Sequence, residues 1–122
     1  MSLAELGNET YVSLETFRKN GTGIKTPVWV TGENGRLYVV TQADAWKIKR
    51  INNNGRVRVA KCDVRGDVQG EWVDAQARVL TDAAALTAQT RRGNGKYGLM
   101  YRLFSLMARL RGNKRAVIEI VA

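Results

Sequence analysis

Between Thr16 and Arg50 two turn-linked pairs of strand signals run directly into a short basic helix. The first turn is Lys19-Asn20-Gly21-Thr22-Gly23, where two glycines supply positive φ angles. The second is Gly32-Glu33-Asn34-Gly35, in which Asn-Gly is a strong hairpin signal. Before the first turn, Thr10 to Phe17 alternates, with Val12, Leu14 and Thr16 on one face and Tyr11, Ser13, Glu15 and Phe17 on the other. Ile24 to Thr31 reads as a second strand. Pro27 lies inside it and has no N–H for a ladder, so this point is an edge or a bulge. Arg36 to Thr41 reads as the third strand. Turns this short force antiparallel neighbours.

The rest of the chain extends the pattern. Ser2 to Asn8 reads as a short helical turn or tail, and Ala43 to Ile51 as a helix of two to three turns. Arg56 to Cys62 alternates again, with Val57 and Val59 inward. Arg65-Gly66-Asp67 is a turn, and Gln69 to Leu80 is a long strand carrying Val73, Ala75, Ala77 and Val79 on one face. Thr81 or Asp82 caps a helix to about Thr90, a break spans Arg91 to Gly95, and a last helix spans Lys96 to Arg111. Lys114 to Val121 is the final strand. The order β-β-β-α-β-β-α-α-β predicts a mainly β fold with a few helices. Six antiparallel strands suit a closed or nearly closed β-barrel, because closure removes exposed edges. At 122 residues, 1–122 is expected to be one domain.

Composition narrows the chemistry. The chain has no histidine, which removes the commonest general base and metal ligand, along with Ser-His and Cys-His nucleophiles. With a single cysteine, Cys62, neither a zinc site nor an internal disulfide is expected. Its carboxylates are scattered and form no metal loop or acid-base pair. Any reaction is therefore expected to belong to an organic cofactor, and the residues identify no catalytic group of their own. The formal charge of +9 favours an anionic partner. No 18-residue apolar run predicts a membrane span, and no secretory pattern opens the chain. The expected setting is a reducing cytoplasm.

Two constellations stand out. Lys47, Lys49 and Arg50 on the short helix, with Thr41 at the preceding strand end, could hold a phosphate by charge and hydrogen bonds. Lys47 and Arg50 share a face and Lys49 points away. The plain alternative is a solvated basic face. Thr26-Pro27-Val28-Trp29 interrupts a strand, and its free backbone groups could meet a planar heterocycle; the plain alternative is a simple edge strand. The last helix is apolar around most of its circumference, with Gly98, Arg102, Ser105 and Arg109 as a narrow polar stripe. Packing against the barrel and a second subunit is its preferred explanation, and contact with a membrane surface the lesser one. Arg56, Arg58, Lys61 and Arg65 could form a nucleic-acid stripe, but no aromatics interleave with them, so nucleic acid is disfavoured.

The run YVSLETFR (Tyr11–Arg18), then TPVWV (Thr26–Val30), GRLY (Gly35–Tyr38), Thr41 and KIKR (Lys47–Arg50) resembles the pyridoxamine 5′-phosphate oxidase-like superfamily. It is most similar to the small actinobacterial branch of deazaflavin (coenzyme F-420)-dependent oxidoreductases. AKCD (Ala60–Asp63), ARV (Ala77–Val79) and KYG (Lys96–Gly98) fit the same branch, so the resemblance runs from about Thr10 to Ile120. It implies an FMN-binding split-barrel-like fold, a homodimer and two cofactor sites at the subunit interface. It implies a flavin-like ring against Thr26, Pro27, Val28 and Trp29, and a cofactor phosphate at Thr41, Lys47, Lys49 and Arg50. The implied activity is hydride transfer from a reduced deazaflavin to an unsaturated organic substrate. The family also contains FMN enzymes and proteins that bind other planar ligands, so FMN binding and non-catalytic ligand binding are the alternatives.

Overall fold

The computed structural model describes every residue except Asn113. In chain order its elements are α1 (Leu3–Leu6), β1 (Tyr11–Phe17), β2 (Gly23–Trp29), β3 (Thr31–Glu33), β4 (Arg36–Gln42), α2 (Trp46–Asn53), β5 (Arg56–Lys61), β6 (Val73–Leu80), α3 (Ala83–Tyr97), α4 (Leu99–Leu110) and β7 (Arg115–Val121). All seven strands form one antiparallel sheet, ordered β2-β1-β5-β6-β7-β4-β3. The strands at its two ends, β2 and β3, are separated in the chain by Val30 alone. The sheet therefore has to curl until its ends approach, which gives the half-barrel shape of a split barrel.

There are seven strands where six were expected, and Val30 is the reason. The predicted strand Ile24 to Thr31 changes partner at this residue: β2 pairs with β1, and β3 with β4. Val30 is fully buried and lies outside both registers. Buried backbone groups need partners, and here α3 supplies them. The Tyr97 hydroxyl accepts from the Val30 N–H at 3.1 Å, and its own proton has Val30 O (2.6 Å) and Thr10 O (2.9 Å) as acceptors. The Lys96 ammonium donates to Val30 O at 2.7 Å, to Gly7 O at 2.8 Å and to Glu9 O. Pro27 is on an edge strand, as one of the two expectations had it. Pairing from Tyr11↔Trp29 to Phe17↔Gly23 is one-to-one, so there is no bulge.

Alternation sends Val12, Leu14, Leu37, Val39, Val57, Val59, Ile118 and Ile120 into the barrel, where Leu3 and Leu6 of α1 and Ile48 and Ile51 of α2 join them. The β3–β4 hairpin turns at Asn34 (φ 55) and Gly35 (φ 76), the paired positive angles that an Asn-Gly turn favours.

Expectation and structure part most clearly in three places. α2 begins at Trp46 rather than Ala43 and runs to Asn53. β6 begins at Val73 rather than Gln69, and before it Val68 makes only an isolated bridge to Cys62. The break predicted over Arg91 to Gly95 is absent: α3 continues through it, and the chain turns instead at Gly98 (φ 62). Gly93 is in the helix because of packing. A Cβ there would overlap the Tyr101 ring of α4. Arg91 and Arg92, expected at the start of that break, are inside α3 and pair with Glu33.

Candidate functional site

α2 positions a basic basin. Ile48 and Ile51 anchor one side of the helix in the core, which fixes the direction of the cations between them. A cavity of about 440 Å³ is lined by Arg18, Lys19, Trp46, Lys49, Arg50 and Asn53. Arg50 Nε donates to Thr16 Oγ1 at 2.6 Å, and Lys49 Nζ lies 4.3 Å from the Trp46 ring centroid. Burial, and then the Arg50 charge, push the pKa of half-buried Lys47 below its ordinary value. Burial, and then Arg18, do the same to Arg50. Among the described residues, none of Arg18, Lys19, Lys47, Lys49 and Arg50 is ion-paired. Crowded, partly desolvated cations without a counter-charge are a strained arrangement that an anion relieves. The donors therefore fit a phosphate or a carboxylate tail.

A second cavity, of about 310 Å³, lies under α4. Trp29, Val40, Thr41, Gln42, Tyr101, Phe104, Ser105, Ala108 and Arg115 line it. The walls are mostly apolar side chains. Arg115 Nη1 donates to Ser105 Oγ at 3.3 Å. Trp29 stacks on Tyr97 (4.8 Å between centroids, 12° between planes) and meets Phe104 edge-on at 5.2 Å. One face of the indole is thus covered by the chain itself. Burial pushes the Tyr97 hydroxyl up to about 12 and raises that of Tyr101 as well, so neither phenol is a base near neutral pH. The Cys62 thiol is buried and pushed up by burial, then by Asp63 and Asp67, which makes it a poor nucleophile. No group of three or more His, Cys, Asp or Glu that could hold a metal ion occurs among the described residues.

The residues singled out in the sequence are therefore distributed. Trp29 and Thr41 share the cavity under α4, while Lys49 and Arg50 share the basin. Lys49, expected to point away from Arg50, lines the same basin. Lys47, Thr26, Pro27 and Val28 line neither cavity. Val28 packs against the core, Thr26 is half-buried, and Pro27 is exposed on the sheet edge. Sequence reasoning missed Arg18 and Lys19, whose only signal was a pair of cations at the end of β1. It also missed Tyr101 and Arg115 as cavity residues, and the clamp made by Lys96 and Tyr97. The possible nucleic-acid stripe is largely neutralised: Arg56 pairs with Asp74, Arg58 with Glu15 and Lys61 with Glu9.

No family model matches the chain, and no curated protein matches its sequence. Solved structures do match. Protein Rv2991 of Mycobacterium tuberculosis aligns with a TM-score of 0.74 at 23% identity, over 100% of this chain and 81% of that one. HutZ, the haem storage protein of Vibrio cholerae, aligns with a TM-score of 0.70 at 14% identity, over 99% and 90%. An F420 reductase aligns with a TM-score of 0.59 at 14% identity, over 96% and 90%. The shared fold is the pyridoxamine oxidase-like split barrel. At these identities the likeness is one of fold, and it agrees with the architecture the sequence resemblance implied. Proteins of this shape include both a reductase and a storage protein, so the fold alone does not assign a reaction.

Proposed function

We propose that this chain is a homodimeric oxidoreductase that binds the reduced deazaflavin coenzyme F-420 and delivers a hydride to an unsaturated organic substrate. The observation that carries the reading is the set of cations around α2, Arg18, Lys47, Lys49 and Arg50, which have no carboxylate partner among the described residues. These residues, with the Thr41 hydroxyl, hold the phosphate and acidic tail. The edge strand through Thr26, Pro27, Val28 and Trp29 has backbone groups on its unpaired side to meet the ring. The apolar walls under α4 exclude water and orient the acceptor. When bound, the deazaflavin supplies the hydride chemistry that the side chains lack. Within one chain the two halves of this site lie in different cavities. A second copy apposing Trp29 and Thr41 to the partner's basic helix completes it, in keeping with the interface site that the resemblance implies.

The deciding experiment is a fluorescence titration of the purified protein with F-420 and with FMN. Tighter binding of F-420 is expected. A yellow protein that prefers FMN transfers the reading to that cofactor, and affinity for neither ends it. One observation favours a second reading, a carrier that binds a planar ligand without turnover: Tyr97 already covers a face of Trp29. In that case bound reduced coenzyme stays reduced across a panel of conjugated acceptors.

A further inference from the structure

Among the described residues, helix α4 is the element with a continuous exposed apolar side. Leu99, Leu103, Leu106 and Leu110, with Met100 and Met107, are each 47–78% exposed. At 3.6 residues per turn they fill an arc of roughly 120°. Tyr101, Ser105 and Ala108 lie on the opposite side, over the cavity. The outward arc therefore takes no part in the proposed cofactor site.

Charge indicates what covers the arc. Between Asp82 and Glu119 the sequence has eight lysines and arginines and no aspartate or glutamate. Arg91 and Arg92 are paired with Glu33, but Arg102, Arg109, Arg111 and Lys114 are exposed and form no ion pair among the described residues. Arg102 and Arg109 are seven residues apart and border the apolar arc on one side. A second α4 laid against this one would bring arginines together and offer no carboxylate to pair with them. A lipid monolayer meets both demands: its acyl region takes the leucines and methionines, and its anionic headgroups take the arginines. None of the described helices is long and apolar enough to cross a bilayer, so the contact is peripheral.

We propose that α4 docks this protein on an anionic lipid surface, lying in the headgroup plane with its leucine and methionine arc in the acyl region. The inference does not depend on the redox reading. Its test is co-sedimentation of the full chain with mixed phosphatidylglycerol and phosphatidylcholine vesicles, and with phosphatidylcholine vesicles alone. Binding to the mixed vesicles is expected, falling as salt is raised. Leu103→Glu/Leu110→Glu is expected to weaken it about tenfold or more with an unchanged thermal melt. Arg102→Gln/Arg109→Gln is expected to weaken binding to the anionic vesicles only, and it decides the question alone if the leucine variant misfolds. No binding to mixed vesicles overturns the proposal, as does equal binding to both compositions. So does a lipid-free dimer that the leucine variant splits into monomers, because a second copy then owns the face.

Discussion

Lys47 sits half-buried within reach of the Arg50 charge, and Arg50 in turn feels Arg18. Because the folded pKa of Lys47 is lowered, its charged form is disfavoured by folding, and removing the charge relieves repulsion. Lys47→Ala is therefore expected to leave the melting temperature unchanged or raise it. It should also weaken F-420 about tenfold or more, since charge-assisted contacts contribute about 1.5–3 kcal/mol and about 1.4 kcal/mol is a factor of ten. An unchanged dissociation constant would remove Lys47 from the site. Glu119 is the opposite case. Burial pushes its pKa up, but hydrogen bonds from Arg78 and Tyr38, with the charges of Arg78 and Arg36, outweigh burial and hold it below the usual carboxylate value of 4.5. A depressed carboxylate contributes stability above its unfolded pKa and loses that contribution as pH falls through the folded value. Stability should thus decline below about pH 4.5, by at most about 1.4 kcal/mol per pH unit for this one group. Glu119→Gln should flatten that part of the curve in urea melts run from pH 3 to 6, and identical slopes would exclude the role.

At the scale of elements, the clamp on Val30 is the feature to test. Tyr97→Phe keeps the ring stacked on Trp29 and removes the hydroxyl that pairs with the Val30 backbone. Leaving such a buried N–H unpaired costs about 1–3 kcal/mol, which a denaturant titration would resolve. A loss well below that range would mean that the hydroxyl contributes little and that the seam rests on the Lys96 bond to the Val30 carbonyl. The strands and the Asn34-Gly35 turn were legible because period-two alternation and positive φ are local signals. The partner switch at Val30 was not, because nothing in TPVWVTG announces that the ladder changes sides. Gly93 and Gly95 were misread for a related reason: glycine permits a turn, but here the space left at Gly93 admits Tyr101. As for the candidate site, the cations of α2 could be read from spacing. Their neighbours Arg18 and Lys19 could not, since they meet α2 only through the β1–α2 packing that brings Thr16 to Arg50.

For the whole molecule, the formal charge of +9 sets a field that draws in polyanions. F-420 carries a phosphate and an acidic tail, so its association should slow several-fold between low and physiological salt, with a smaller change in dissociation. Stopped-flow traces that are insensitive to ionic strength would show that the global charge plays no part in capture.

The sheet order has a consequence for biosynthesis. Among the described residues β7 is the last strand in sequence order, yet it lies between β6 and β4 in the interior of the sheet, with Ala116, Val117, Ile118, Glu119 and Ile120 all buried. A nascent polypeptide that has not yet reached Arg115 holds two fragments, β2-β1-β5-β6 and the β3–β4 hairpin, tethered through Val30. The keystone arrives after every other stone has been cut, so the arch closes only once β7 itself has been made. Until then the facing edges of β6 and β4 are bare to whatever chaperone or neighbouring strand meets them first.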